Sequence, residues 1–148
     1  MKVYVASSWR NETQPRVVAA LRDAGHKVYD FRHPADGDNG FHWSEIDPNW
    51  KQWGPREFAG ALEHPLARAG YLSDIRHLND CDVCVLVLPC GRSAHLEAGH
   101  AVGANKVVVA LLDDGEPELM YRMFDNLAFT IEGVVSALAR MTPDPNDG

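Results

Sequence analysis

Apolar residues recur along the chain with two periods, one typical of buried strands and one typical of helices. Short apolar runs predict four strands, at residues 2–6, 26–31, 83–88 and 106–112. Apolar residues three and four positions apart predict helices at residues 14–24, 55–63, 66–80, 93–104 and 131–141. The resulting order is a strand-helix-strand unit, a long loop, further helical residues, a second strand-helix-strand unit and a closing helix.

The strand at residues 83–88 decides the fold class. Its sequence, Val-Cys-Val-Leu-Val-Leu, is apolar at every position, which indicates burial on both faces and hence a central parallel strand. We predict an α/β fold, a single-domain Rossmann-like or flavodoxin-like parallel sheet flanked by helices, with right-handed crossovers. Ligands bind such sheets outside the carboxyl ends of the strands. This rule selects three loops as candidate ligand-binding segments, namely residues 7–13, the segment after the second strand, and residues 89–93.

Residues 32–54 form a long segment that combines Gly, Pro and Asp with four large aromatic residues, namely Phe41, Trp43, Trp50 and Trp53. Polar linkers rarely carry such residues, so we interpret the segment as an ordered functional loop. A chain of 148 residues is expected to form one domain, here over residues 1–141. Residues 142–148 are rich in Pro, Asp and Asn, which is typical of a flexible tail.

The charge balance narrows the class of partner. Fourteen Lys and Arg against 21 Asp and Glu give a net charge of −7, which argues against binding to nucleic acid or to anionic lipid but leaves room for a local basic pocket. No apolar run has the length of a membrane span or of a signal-peptide core. The three cysteines, an odd number clustered in one region, argue against a disulfide framework. We expect a cytoplasmic protein.

Two carboxylates are candidates for catalysis. Glu97 is expected in the first turn of the helix that follows the central strand, where backbone N–H groups favour an ionised carboxylate that can act as a nucleophile. Asp74, on the preceding helix, is a candidate for a second carboxyl of different pKa that protonates a leaving group. The alternative for Glu97 is a residue that only favours the helix, and the alternative for Asp74 is a solvated acid on a helix surface.

A zinc-dependent nucleobase deaminase is an alternative, because His95-Leu96-Glu97 matches the H-x-E motif of those enzymes. The required P-C-x-x-C does not follow, since the only Pro-Cys pair, Pro89-Cys90, lies upstream. Cys81 and Cys84 have no second ligand pair at zinc spacing and are better explained as core residues. The chain also lacks the G-x-G-x-x-G and G-x-x-x-x-G-K-[ST] motifs of dinucleotide and ATP sites. We therefore predict no metal and no cofactor.

The loop after the first strand offers groups suited to a nucleotide. Ser8 supplies a hydroxyl, Trp9 is a candidate for stacking on a base, and Arg10 is a candidate for holding a phosphate. The alternative is a capped loop with a partly buried Trp9.

Short motifs in a fixed order connect these observations, and the ordered set resembles the nucleoside 2-deoxyribosyltransferase family, which includes related nucleotide N-glycosidases. The matching stretches are the strand and turn at residues 3–9, Asp74 ahead of residues 80–85, Gly91 followed by Glu97-Ala98-Gly99, and Leu119-Met120 with Asp125-Asn126. Together they span most of the chain.

The resemblance implies a mechanism and a set of site residues. Glu97 would attack the anomeric carbon of a (deoxy)ribosyl group and form a covalent glycosyl-enzyme, with its carboxylate held by Tyr4. Asp74 would help to protonate the leaving base, and Trp9 would pack against that base. Asp125 and Asn126 would reach the 5′ end of the sugar in a neighbouring subunit, so the family implies a homodimer or a higher homo-oligomer.

Two departures from the family pattern bear on the substrate. Gly91 stands where the base-exchanging transferases place an acid, which argues against efficient base exchange. Arg10 matches an arginine of the nucleotide-cleaving relatives, and Arg92 and Ser93 add possible phosphate contacts. The expected partner is a nucleoside or a nucleotide, with the sugar passed to another base or to water. The alternative function is a nucleotide-binding module on the same fold without turnover.

Overall fold

The computed structural model describes residues 1–142, so the predicted tail lies outside the described residues except for Thr142. The strands are β1 (Lys2–Ala6), β2 (Lys27–Asp30), β3 (Val83–Val87), β4 (Val107–Leu111) and β5 (Asn126–Ala128). The α-helices are α1 (Gln14–Asp23), α2 (Pro55–Ala61), α3 (Pro65–Asp80), α4 (Arg92–Gly103) and α5 (Ile131–Ala139). The chain divides into two units, one made of Met1–Asp30 with the residues from Leu78 onward, the other of Phe31–His77.

The first unit contains a five-stranded sheet in the order β2-β1-β3-β4-β5, with every neighbouring pair parallel. This confirms the predicted α/β fold and the central position of β3, all of whose residues are buried. Because right-handed crossovers lead from β1 to β2 and from β3 to β4 in opposite directions, α1 and α4 cover opposite faces of the sheet. α5 packs on β4, β5 and α1.

β5 is a strand that the sequence pattern missed. It pairs with β4 over three residues only, Asn126–Ala128, which is too short to show an alternating pattern. The predicted order contained four strands, and the structure corrects it to five. The added strand forms one edge of the sheet.

The two faces of the sheet carry different residues. Val3 and Val5 of β1 join a buried cluster with Val17 and Leu21 of α1 and Leu138 of α5. Successive side chains of a strand point to opposite faces, so Tyr4 lies on the face covered by α4. On that face α4 contributes small buried side chains, Ala94, Ala98 and Ala101, which allow the helix to approach the sheet closely.

The second unit has an aromatic centre. The ring of Trp43 makes edge contacts with Phe41, Trp53 and Phe58, with centroids 4.8, 5.8 and 5.7 Å apart. The indole N–H of Trp53 donates to the Asp47 carboxylate at 2.8 Å. The aromatic residues thus give residues 32–54 a packed interior, with short 3₁₀ turns at Trp43–Glu45 and Trp50–Gln52. Within the described residues, no helix is both long and apolar enough to cross a membrane.

Candidate active site

β1 and β3 are neighbours in the sheet, but the chain leaves them in opposite directions, toward β2 and toward β4. This is the switch point at which open α/β sheets bind ligands, outside the carboxyl ends of the strands. The loops that follow β1 and β3, two of the three segments that the sequence rule selected, therefore form the candidate site.

Two buried polar side chains join these loops. Ser7 Oγ donates to the Val87 carbonyl at 2.8 Å, and Asn11 Nδ2 donates to the Pro89 carbonyl at 3.0 Å. Asn11 Oδ1 also accepts the backbone N–H groups of Thr13 and Gln14, both at 2.8 Å, and so caps α1. One side chain thus fixes both loops and the start of a helix.

Asn11 was not among the predicted site residues. The available signal was an asparagine shortly before a predicted helix start, where its side chain favours an Asx turn. Its second function, the bond to the loop after β3, depends on strand order and leaves no local trace in the sequence.

The structure brings Glu97 and Tyr4 to the same region. Tyr4 is fully buried, stacks on Tyr29 at 5.3 Å, and lies opposite Cys84 in the β1–β3 register. The pKa of the Cys84 thiol is raised well above its usual value by burial, then by the charges of Cys81 and Glu97. Glu97 is half-buried and lies on α4 one turn from Ala94 and Ala101, on the side of the helix that faces the sheet.

One expectation about Glu97 is wrong. The carboxylate was expected in the first turn of its helix, but α4 begins at Arg92, which makes Glu97 the sixth helical residue. The effect of the helix dipole is confined to the first turn, so backbone N–H groups do not explain an ionised Glu97. The position of Glu97 on the flank of α4, beside the sheet, is what makes it a candidate.

Cys90 lies in the loop between β3 and α4. Its pKa is raised to about 12 by burial and by the negative charges of Glu97 and Asp113. The thiol is therefore protonated at neutral pH, whereas a nucleophile or a metal ligand needs the thiolate. Within residues 1–142, no group of three or more His, Cys, Asp or Glu side chains is arranged to hold a metal ion.

Most of the predicted substrate-binding residues lie on the loop after β1 and at the start of α4. Ser8 is half-buried, whereas Trp9 (41% exposed) and Arg10 present their side chains to solvent. Gly91 is the N-cap of α4, and the exposed Arg92 and Ser93 are its first two residues. Gly91 has no side chain to cap α4, and the first N–H groups of that helix point toward the carboxyl ends of the strands.

Asp74 is half-buried on α3 within the second unit. The other two predicted site residues, Asp125 and Asn126, belong to the first unit. Asp125 binds β4 twice, through its N–H to the Val108 carbonyl and through its carboxylate, which accepts the Val108 N–H at 2.8 Å. Asn126 begins β5, which is separated from β1 by the two strands β3 and β4. The structure therefore does not bring Asp125 and Asn126 to the loops of their own chain that carry Arg10 and Gly91.

Comparison with known proteins finds the same fold in two solved structures. A 2-deoxyribosyltransferase from the psychrotolerant bacterium Bacillus psychrosaccharolyticus matches with a TM-score of 0.58 and 18% identity over 91% of this chain and 90% of that one. A CMP N-glycosidase of Clostridium botulinum matches with a TM-score of 0.51 and 14% identity over 94% and 99% of the two chains. No family model and no curated protein matches the sequence. The fold is thus shared over nearly the whole length of both proteins.

Proposed function

We propose that this protein cleaves the N-glycosidic bond of a nucleoside or nucleotide, through a covalent glycosyl-Glu97 intermediate. The observation that carries the proposal is that Glu97 is a half-buried carboxylate beside Ala94, Ala98 and Ala101, the buried side chains of α4 next to the switch point of the sheet. The two solved structures of the same fold support the reaction class, because one is a 2-deoxyribosyltransferase used to synthesise nucleosides and the other is a CMP N-glycosidase.

The chemistry runs in two displacements. A carboxylate oxygen of Glu97 attacks C1′ of the sugar, the bond from C1′ to the base nitrogen breaks, and the base leaves with a proton that we assign to Asp74. Water or a second base then attacks C1′, gives its proton to the Asp74 carboxylate, and releases Glu97 as a carboxylate, in the manner of retaining glycosidases. Tyr4 holds the attacking carboxylate in place in this proposal.

The substrate would lie across the two loops. Trp9 supplies an aromatic face for the base, and Ser8 supplies a hydroxyl beside it. Arg10, Arg92 and Ser93 form the polar side of the site and suit a 5′-phosphate. Gly91, which has open space where a Cβ would stand, favours water over a base as the acceptor in the family pattern.

A panel of substrates tests the proposal directly. The purified protein is incubated with nucleosides and their 5′-monophosphates, in the ribo and deoxy series, with and without a second free base. We expect release of the base from at least one substrate, measured by chromatography. Binding of a nucleotide without any turnover would overturn the enzyme and favour the nucleotide-binding module.

We further propose that the partner of this chain is a second copy of itself. Several large apolar residues are exposed around the β5 edge of the sheet, including Leu119 (83%) and Phe129 (78%) with Met120, Met123 and Leu127. A cluster of this kind is typical of an interface. Light scattering coupled to gel filtration is expected to give at least a dimer, and Phe129→Glu is expected to shift it toward the monomer. A wild-type monomer with full activity would contradict the proposal.

A further inference from the structure

The imidazole of His95 lies between two parts of the first unit that no motif connects. Its Nδ1 is 2.8 Å from the Gly91 carbonyl, and its Nε2 is 2.8 Å from the Tyr121 hydroxyl. A carbonyl oxygen only accepts, so Nδ1 carries a proton. In the neutral ring Nε2 then accepts the O–H of Tyr121. The two rings are also stacked, with centroids 5.8 Å apart and planes at 15°.

Tyr121 belongs to the connection between β4 and β5, in the 3₁₀ turn Leu119–Met123. Its ring also stacks on Phe124, with centroids 5.2 Å apart. Tyr121 is therefore held by Phe124 and His95, and through His95 it fastens the β4–β5 connection to the residue that precedes α4.

The turn at Gly91 is thus anchored from two sides. Asn11 binds the Pro89 carbonyl from the β1 side, and His95 with Tyr121 binds the Gly91 carbonyl from the β4 side. Glu97 lies in the next turn of α4, whose buried alanines hold it against the sheet independently of this bond. We therefore expect loss of the bond between His95 and Tyr121 to displace Gly91 and Ser93 more than it displaces Glu97.

We infer that His95 and Tyr121 are positioning residues for the candidate site, which set the turn at Gly91–Ser93 for substrate binding. Neither residue touches the substrate in this assignment. The inference rests on the proposed function for its kinetic consequence. Since the bond controls the binding loop and not Glu97, its loss should raise KM and leave kcat nearly unchanged.

Two substitutions remove the bond between the side chains. Tyr121→Phe removes only this bond, because it keeps both ring stacks and deletes the hydroxyl. His95→Asn keeps an amide N–H that reaches the Gly91 carbonyl, but it removes both the bond to Tyr121 and the stack on its ring. Each is expected to raise KM about 3- to 10-fold, as for the loss of one hydrogen bond, with kcat changed less than 2-fold. The double variant should be no worse than His95→Asn, because Tyr121→Phe removes only a bond that His95→Asn has already removed.

Tyr71→Phe, at an exposed tyrosine of α3, is the matched control and should leave KM unchanged. Hydrogen exchange of the backbone N–H groups at the start of α4 provides a readout without turnover, and Tyr121→Phe should accelerate it. If Tyr121→Phe accelerated exchange but left KM unchanged, the pair would have only a structural role, and the inference would be overturned. Unchanged exchange in this variant would also overturn it. A wild-type protein inactive on every substrate would instead refute the proposed function, and the exchange result would still judge the bond between His95 and Tyr121.

Discussion

Glu97→Gln is expected to lower kcat by at least about 10³-fold and to leave the fold intact. The substitution removes the negative charge needed for attack on C1′ but keeps the size of the side chain. The packing of α4 on the sheet is provided by Ala94, Ala98 and Ala101, so the change should not disturb it. Steady-state kinetics measures the loss, and thermal unfolding checks the fold.

Glu132→Gln is the matched control, at an exposed position in the first turn of α5. It should retain wild-type kcat. Incubation with a 2-fluorinated nucleoside analogue should add the sugar mass to a peptide that contains Glu97, as seen by mass spectrometry. Near-normal turnover by Glu97→Gln would rule out the covalent mechanism.

Arg10→Ala is expected to impair a 5′-monophosphate substrate about 10- to 100-fold more than the matching nucleoside, as for a lost charged hydrogen bond. The next residue, Asn11, binds the Pro89 carbonyl three positions before Arg92. The loop that carries Arg10 therefore adjoins the loop that leads into α4, whose first residue is Arg92 and whose N-terminus favours an anion. The ratio of kcat/KM for the two substrates measures the effect.

Arg140→Ala, on an exposed arginine after α5, serves as the control and should leave that ratio unchanged. Arg92→Ala should change it in the same direction as Arg10→Ala. Equal losses on both substrates, or a preference of the wild-type protein for the nucleoside, would favour a nucleoside transferase.

The fold was largely predictable because its strongest signals are local. Val83–Val87 is apolar throughout, and burial on both faces of a parallel sheet requires that composition. Pro15 and Gly25 bracket α1 in the way that helix ends favour. β5 was missed because pairing with β4, and not its own three residues, makes it a strand.

The candidate site was predictable only in part. The loops after β1 and β3 follow from the rule for parallel sheets, and motif resemblance selected Glu97. The hydrogen bonds of Asn11 and of His95 with Tyr121 join residues 78 and 26 positions apart, so no local pattern could reveal them. The roles of Asp74, Asp125 and Asn126, and of residues 32–54 as a functional loop, stay predictions.

The pairing of β1 has a consequence for biosynthesis. Val3 lies opposite Val28 on one side and Val83 on the other, so one edge of β1 finds its partner some 80 residues after β1 has been made. At ordinary ribosome speeds this interval is about 4–16 s. Throughout it, the nascent chain exposes an unpaired apolar strand edge of the kind that aggregates. We therefore expect the yield of folded protein to depend on protection by a chaperone during translation more than on the stability of the finished sheet.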